Sequence, residues 1–272
     1  MWREGTLMKK SRIQQQFDHG AAKYDALGSL QQLIVQDLLQ QAISPVEVVV
    51  DLGCGTGFGL ALLAAAGHEC LLGIDIAQSM LEHAQARVPQ ANLLVADIEA
   101  IPLPDNCADL VVSSSALQWC NLPVALSEAV RITKPGGRLL VSTFTRGTLS
   151  DWRALWGIYD DDWFVSPLAI NECLADLNIA HVEMRTEVYL PRFRSFTDAV
   201  ASIRGLGAGI TSQPGLMSRN KYRAIRQRVE AEIAHKGSFI LPYYVTRFTA
   251  IKPEPAMAQP ELHALQCHPA SL

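Results

Sequence analysis

A glycine-rich turn between a strand and a helix constrains the fold of this chain more than any other feature. The stretch reads VVVDLGCGTGFGLALL and spans Val48–Leu63. Three consecutive valines are typical of a buried parallel strand, and the apolar residues after Gly57 are typical of a helix. Glycine has no Cβ and tolerates positive φ angles, so the turn lets a ligand approach the backbone closely. The sequence therefore predicts a ligand-binding α/β unit here.

The spacing of the glycines narrows the class of ligand. Gly53, Gly55 and Gly57 alternate with other residues, and Phe58 stands where a dinucleotide-binding fingerprint has its third glycine. A helix amino terminus reached through glycines can hold a pyrophosphate, but it can equally hold an amino-acid carboxylate. Asp51, beside the turn, can attract an ammonium group. These features suit the methionine end of S-adenosylmethionine (SAM), although another nucleotide-binding α/β unit also fits.

Composition disfavours several classes of protein. The chain has 272 residues, a formal net charge of −4 and a pI near 6.0. Nucleic-acid binding needs a concentrated cationic surface, which this balance does not suggest. The sequence has no run of 18 apolar residues and no apolar signal near its start, so we expect a soluble, cytoplasmic protein. Its six cysteines are scattered without the spacing of a metal site, and we expect reduced thiols and no metal.

Acidic and apolar residues follow the strands predicted after the glycine turn. The carboxyl ends of parallel strands border a single crevice in an open sheet. We expect Asp75, after the second strand, to accept hydrogen bonds from ribose hydroxyls and Asp97, after the third, from an adenine amino group. Ile76, Met80 and Ile98 are expected to pack against the ring. Each aspartate has the alternative role of capping the end of its own strand.

The pattern along the chain predicts three regions. They are a helical cap over residues 1–47, a SAM-binding core over 48–252 with a helical substrate insertion at about 192–236, and a tail over 253–272. The tail carries four prolines and no periodicity, so we expect it to be disordered. Within the cap, we expect the helical pattern to be interrupted around Asp18-His19-Gly20.

The segment from Val48 to Phe144 resembles the class I SAM-dependent methyltransferases. The resemblance rests on DLGCGTG at 51–57, IPLPD at 101–105, LQW at 117–119 and KPGG at 134–137. It implies a Rossmann-like α/β fold, a mostly parallel sheet with helices on both faces, and SAM as the cofactor. An NAD-dependent oxidoreductase, which uses the same strand, turn and helix, is the main alternative enzyme. A protein that binds SAM without catalysis is a further alternative.

The flanking sequence is similar to the malonyl-acyl-carrier-protein O-methyltransferases of biotin synthesis. This similarity rests on FDHGAAKYD at 17–25, ALQWCN at 116–121 and FTDA at 196–199. It implies methylation of the free carboxylate of a malonyl thioester, with an acyl carrier protein as the partner. The chain departs from the family at DDDWF, 160–164, and at LPYY, 241–244. Both departures fall in the substrate half, so an enzyme acting on another small or carrier-bound acid stays open.

Four residues are candidates for catalytic roles. A carboxylate is already ionised at neutral pH, so the reaction needs alignment and no general base. A buried carboxylate needs a compensating cation, and Arg146 and Arg204 are the candidates. Tyr24 is a candidate for closing over the cofactor, and Trp119 for lining the acceptor pocket. The alternatives are a solvated surface position for each arginine and ordinary packing for each aromatic residue.

A basic run predicts where the partner binds. Between Arg219 and Lys236, six lysines and arginines stand against two glutamates. Acyl carrier proteins are acidic, so we predict that Arg219, Arg223 and Arg226 dock the carrier. The alternative is an ordinary solvated helix face.

Overall fold

The computed structural model describes residues 10–42, 44–159, 164–177, 179–205 and 219–254. The helices in these ranges are α1 (Lys10–Leu27), α2 (Ser29–Leu39), α3 (Phe58–Ala65), α4 (Gln78–Arg87), α5 (Leu122–Ile132), α6 (Ser150–Leu155), α7 (Pro167–Ala175), α8 (Phe196–Gly205) and α9 (Arg219–Lys236). The strands are β1 (Val48–Leu52), β2 (Cys70–Asp75), β3 (Asn92–Val95), β4 (Ala108–Ser114), β5 (Thr133–Phe144), β6 (Ala180–Tyr189), β7 (Arg192–Phe193), β8 (Phe239–Ile240) and β9 (Tyr243–Ile251). A short 3-10 helix covers Leu117–Trp119.

Seven strands form one sheet in the order β3-β2-β1-β4-β5-β9-β6. Strands β1 to β5 pair in parallel, whereas β9 runs antiparallel to both of its neighbours. The chain moves outward from β1 through β2 to β3 and then returns to place β4 on the other side of β1. A crevice forms outside the carboxyl ends of the strands at such a switch point. The prediction of a Rossmann-like, mostly parallel sheet is confirmed.

Strand β1 is an interior strand of this sheet and is buried on both faces. Val49, Val50 and Leu52 are completely buried, which explains why the strand reads as a continuous apolar run. Val50 pairs with Leu72 on one side and Val111 on the other. This central position places the glycine turn at the switch point of the sheet.

The predicted interruption of the first helix is wrong. α1 continues through Asp18-His19-Gly20, and the chain breaks instead at Gly28. A glycine inside a helix costs about 1 kcal/mol relative to alanine, but the packing of α1 outweighs this cost. Ala21 is buried, and Asp18 Oδ1 accepts hydrogen bonds from the backbone amide and the hydroxyl of Ser79, at 3.1 and 2.7 Å. Asp18 thereby caps the first turn of α4.

The later part of the chain builds an aromatic cluster beside the sheet. Trp152, on α6, packs against Trp156, Phe196 and Phe239. The sequence predicted α8 and α9, but it did not indicate α6 or the short β7–β8 pair. None of the helices in the described ranges is both long and apolar enough to cross a membrane.

The boundaries of cap, core and insertion stay predictions. Residues 206–218 of the predicted insertion lie outside the described part of the chain. The same holds for residues 255–272 of the tail that we expected to be disordered.

Candidate active site

A crevice opens at the carboxyl ends of β1, β2 and β4, under α1. A second space adjoins it around the glycine turn, and Asp51 is part of its wall. Tyr24, Gly53, Gly55 and Ser114 line both spaces. The two spaces are therefore neighbouring parts of one concave surface around the glycine turn.

The three glycines of the turn have different tasks. All three have positive φ angles, and a Cβ at Gly53 would lie 2.3 Å from that of Ala116. A Cβ at Gly57 would lie 2.9 Å from Ala84, so Gly57 permits the close approach of α4 and does not line the crevice. A Cβ at Gly55 would have only Tyr24 nearby, at 4.0 Å. Gly55 is therefore the position where the turn leaves open space for a ligand.

Two buried carboxylates flank this open space. Asp51 is 4 % exposed and Asp75 is 9 % exposed. Asp75 accepts hydrogen bonds from the backbone amides of Gly55 and Ala77, each at 2.9 Å. Burial, and then the charge of Asp75, raise the pKa of Asp51 to about 7. Burial also raises the pKa of Asp75, although the backbone amides oppose this shift.

Neither carboxylate is in an ion pair with any residue of the described ranges. Two buried acids without a cation disfavour ionisation, which is why their pKa values rise. The site consequently has the electrostatic character of a receptor for a positively charged ligand.

The residues predicted to surround an adenine ring line the far end of the crevice. Ile76, Met80, Asp97 and Ile98 are all part of its wall. Asp97 Oδ1 also accepts hydrogen bonds from Lys10 Nζ, at 2.7 Å, and from the backbone amide of Glu99, at 3.0 Å. The sequence did not indicate Lys10, because a single lysine gives no local signal of a contact 87 residues away.

Tyr24 and Trp119, the two aromatic candidates, both line the crevice. Phe17 lies between them and meets each ring edge-on, with centroid distances of 6.2 and 6.1 Å. Burial, and then the charges of Asp75 and Asp25, raise the pKa of Tyr24. Tyr24 is therefore a neutral phenol at physiological pH.

Comparison with known proteins identifies the family. Residues 50–141 match the model of a methyltransferase domain. Over 252 residues the chain is 34 % identical to the malonyl-[acyl-carrier protein] O-methyltransferase of Herminiimonas arsenicoxydans. These residues cover 89 % of this chain and 96 % of that protein. The chain belongs to the malonyl-[acyl-carrier protein] O-methyltransferase family.

Other relatives agree with this assignment. The methyltransferase is 30 % identical to part of the biotin biosynthesis bifunctional protein BioHC of Cellvibrio japonicus. The similarity covers 85 % of this chain and 48 % of BioHC. The YcgJ protein of Bacillus subtilis matches 81 % of the chain with a TM-score of 0.59 and 16 % identity, which shows the fold alone. The predictions of a SAM-dependent methyltransferase and of SAM as its cofactor are confirmed, and the oxidoreductase alternative is dropped.

The two predicted arginines lie outside the crevice of the methyltransferase. Arg146 and Arg204 are exposed, and neither is part of the described wall. The wall has one cationic side chain among the described residues, Lys10, which pairs with Asp97 and Glu99. The role of Arg146 and Arg204 in holding a carboxylate stays a prediction.

Polar contacts hold both ends of α1 over the crevice. At one end, Lys10 Nζ lies 2.6 Å from Glu99 Oε1. At the other end, Asp25 forms an ion pair with Arg87 and accepts a hydrogen bond of 2.6 Å from Thr56 Oγ1. The helix therefore bridges the loops that follow β1 and β3.

The basic helix α9 buries Ile225 and Val229 and exposes its arginines. Arg226 Nε lies 2.7 Å from Glu230 Oε1, whereas no ion pair of Arg219 or Arg223 is found in the described ranges. Arg219, Arg223 and Arg226 follow the i, i+4, i+7 spacing of one helix face.

Proposed function

We propose that the methyltransferase transfers the methyl group of SAM to the free carboxylate of a malonyl thioester on an acyl carrier protein, as a step of biotin synthesis. The acceptor and the pathway follow from family membership, because the relatives are named for malonyl-carrier methylation and for biotin biosynthesis. The structural observation that carries the proposal is the pair of buried carboxylates, Asp51 and Asp75, beside the open space at Gly55. This arrangement suits a cofactor with ammonium and sulfonium charges.

The residues of the crevice fit SAM. Asp51 would pair with the ammonium group, and the methionine moiety would occupy the space over Gly55. Each oxygen of Asp75 accepts one backbone amide and keeps a lone pair for a ribose hydroxyl. Met80 and Ile98 are nearly fully buried and offer apolar contacts to the adenine ring.

Asp97 would accept a hydrogen bond from the adenine amino group through Oδ2. Its other oxygen, Oδ1, already holds Lys10 and the Glu99 amide. A carboxylate accepts about four hydrogen bonds, so the contact with Lys10 and a contact with adenine are compatible. Lys10 would then position Asp97 for the cofactor.

The chemistry demands positioning and little else from the protein. When bound, SAM would supply an electrophilic methyl carbon on a positively charged sulfur, with neutral S-adenosylhomocysteine as the leaving group when a carboxylate oxygen takes the methyl group. The acceptor carboxylate is ionised at neutral pH, so no residue has to remove a proton. Burial raises the pKa of Cys120, in the crevice wall, to about 12. Cys120 and Tyr24 thus stay protonated and do not compete with the carboxylate for the methyl group.

We also propose that an acidic carrier docks on α9 through Arg219, Arg223 and Arg226. The support is the excess of cationic residues on this helix in a chain of net charge −4. Arg226 forms an ion pair with Glu230, so Arg219 and Arg223 would contribute more.

We keep the division into a cap over 1–47, a core over 48–252 and an insertion at 192–236 as a working proposal, and place the enzyme in the cytoplasm.

A mass-spectrometric screen tests the proposed acceptor. The protein is incubated with SAM and, separately, with malonyl carrier protein, malonyl-CoA and unrelated free acids. The proposal requires a gain of one methyl group on the malonyl substrates. Transfer only to another acid would make the chain a related methyltransferase with a different acceptor, and SAM binding without transfer to any acid would favour a non-catalytic protein.

A further inference from the structure

The segment that follows β4 carries two hydrogen-bond donors without a protein partner. Ser115 Oγ and Trp119 Nε1 are both shielded from solvent, and neither has a hydrogen-bond partner among the described residues. Both residues line the crevice, and Trp119 is 9 % exposed. Buried donors are nearly always satisfied in native proteins, so two of them in one segment of a ligand-binding wall require an explanation.

The backbone of this segment is also strained. Ser115 has a φ angle of +56°, in the left-handed region that residues other than glycine seldom adopt. Such conformations persist where the surrounding structure holds them, and they cluster at binding and catalytic sites. The strain and the unpartnered donors thus occur within five residues of each other.

A small network holds the strained conformation. The amide of Ser115 donates to Ser142 O at 2.9 Å, and Gln118 Nε2 donates to Ser115 O at 2.6 Å. Gln118 Oε1 in turn accepts a hydrogen bond of 3.0 Å from the hydroxyl of Thr143, which is completely buried at the end of β5. Thr143 and Gln118 therefore fix Ser115, and the 3-10 helix that follows carries Trp119.

An unpartnered indole N–H alone is not evidence of a site. Trp152 and Trp156 have the same property, and both lie in the aromatic cluster, outside the crevice wall. The Ser115–Trp119 segment differs because the donors, the strain and the anchoring network coincide in the wall of the crevice. Trp156 consequently serves as a matched control for Trp119.

We infer that Ser115 Oγ and Trp119 Nε1 donate hydrogen bonds to the acyl acceptor and orient its carboxylate toward the methyl group. This inference rests on the proposed function and deepens it. The crevice wall offers no unpaired cation among the described residues, because Lys10 is held by Asp97 and Glu99. Neutral donors hold a carboxylate without the strong charge neutralisation of an arginine, and the sulfonium supplies the opposite charge. Gln118 and Thr143 are positioning residues that act through Ser115.

The test separates acceptor binding from cofactor binding. Trp119→Phe keeps an aromatic ring in the wall and removes the N–H, whereas Ser115→Ala removes only the hydroxyl. For each variant we expect kcat/KM for malonyl-CoA to fall about tenfold, the scale for a lost hydrogen bond to a charged group. The dissociation constant of malonyl-CoA in the presence of S-adenosylhomocysteine should rise by a similar factor. The dissociation constant of SAM should stay within about twofold of the parent value.

Two variants of Thr143 test its role in positioning Ser115. Thr143→Val keeps the shape of the side chain but removes the hydroxyl that anchors Gln118, and should lower kcat for malonyl-CoA with little change in SAM binding. Thr143→Ser keeps the hydroxyl and should restore kcat. A purely structural role for Thr143 would leave its valine variant less stable but with unchanged kcat in the folded fraction.

The outcomes distinguish this inference from the proposed function. If the parent protein methylates malonyl-CoA, and Trp119→Phe and Ser115→Ala lose no more activity than Trp156→Phe, the inference is overturned while the function stands. If both variants weaken SAM as much as the acceptor, the donors belong to the cofactor site and the inference is again wrong. If the parent protein methylates no malonyl thioester, the function fails and the inference fails with it.

Discussion

Asp51 shows how one residue connects folding with binding. Its carboxylate lies near the end of the buried strand β1, and burial together with the charge of Asp75 raises its pKa to about 7. The usual pKa of an aspartate is about 3.9. A raised pKa in the folded state means that this group stabilises the fold below about pH 4 and that the stabilisation is lost as the pH rises towards 7. A cationic ligand would offset the unfavourable ionisation of buried Asp51, since it favours the charged form of this carboxylate.

The affinity for SAM should therefore depend on pH through Asp51. Only the ionised carboxylate pairs well with the ammonium group, so we expect SAM to bind roughly tenfold more weakly at pH 6 than at the plateau well above a pKa of about 7. Calorimetric titrations from about pH 6 to about pH 8.5 measure this effect. Asp51→Asn should bind SAM weakly with no such dependence, and an unchanged pH profile in this variant would show that another group is responsible.

Gly55 should be essential for SAM binding because of the space above it. Gly55→Val would fill the opening that faces Tyr24, so we expect no saturable SAM binding by calorimetry. Gly237→Val is the matched control, since Gly237 also has a positive φ angle and open surroundings but lies outside the crevice wall. Gly237→Val should introduce the same backbone strain, and the variant should keep its affinity for SAM. Equal losses in both variants would mean that strain, and not occupancy of the site, explains the effect.

Helix α1 forms one wall of the crevice, and polar contacts hold both of its ends. Long-range polar contacts explain why it continues through Gly20. The periodicity of the sequence indicated a helical cap, but periodicity describes a single helix and not its contacts with other elements. It does not indicate that Asp18 caps α4 or that Lys10 reaches Asp97.

Weakening one end of α1 should accelerate the release of SAM. Arg87→Ala removes the ion pair with Asp25 and two hydrogen bonds to Thr56. Partly exposed ion pairs contribute about 0.2–1 kcal/mol, so we expect the dissociation rate of SAM to rise by about two- to fivefold in stopped-flow measurements. Lys236→Ala, which removes an exposed pair with Glu232 on α9, should leave this rate unchanged. An equal rate in Arg87→Ala and the parent would show that α1 does not control release.

The docking proposal for α9 predicts an effect that depends on the helix face. Arg223→Glu and Arg228→Glu change the charge equally, and both arginines are exposed, but they lie on different faces of the helix. Arg223→Glu should lower kcat/KM for malonyl carrier protein and flatten its salt dependence, because long-range attraction speeds encounter and is screened over about 8–10 Å. Arg228→Glu should have a smaller effect, and neither should change turnover of malonyl-CoA. Equal effects of the two variants on the carrier would argue against a specific docking face.

For the molecule as a whole, the sequence predicted the sheet and the glycine turn, and the residues that it predicted around the cofactor lie along one crevice. These features depend on local patterns repeated at the end of each strand, and the parallel sheet brings them together. The acceptor side was less predictable, because Arg146 and Arg204 belong to segments whose packing is set by distant parts of the chain. The strained Ser115 and the network of Gln118 and Thr143 gave no sequence signal, since Gln118 and Thr143 meet across 25 residues of the chain without any periodic pattern.

Methylation of a carboxylate in this crevice would form a methyl ester, and the lability of an ester to alkali distinguishes it from other methylated products. The protein is incubated with SAM labelled in the methyl group and with malonyl-CoA, and the purified product is treated with mild alkali. A methyl ester releases the label as volatile methanol, whereas a methyl group on carbon or nitrogen stays with the product. We predict that the transferred label is released by alkali, and that Gly55→Val transfers none. Label that resists alkali, or transfer that persists in Gly55→Val, would contradict carboxylate methylation at this site.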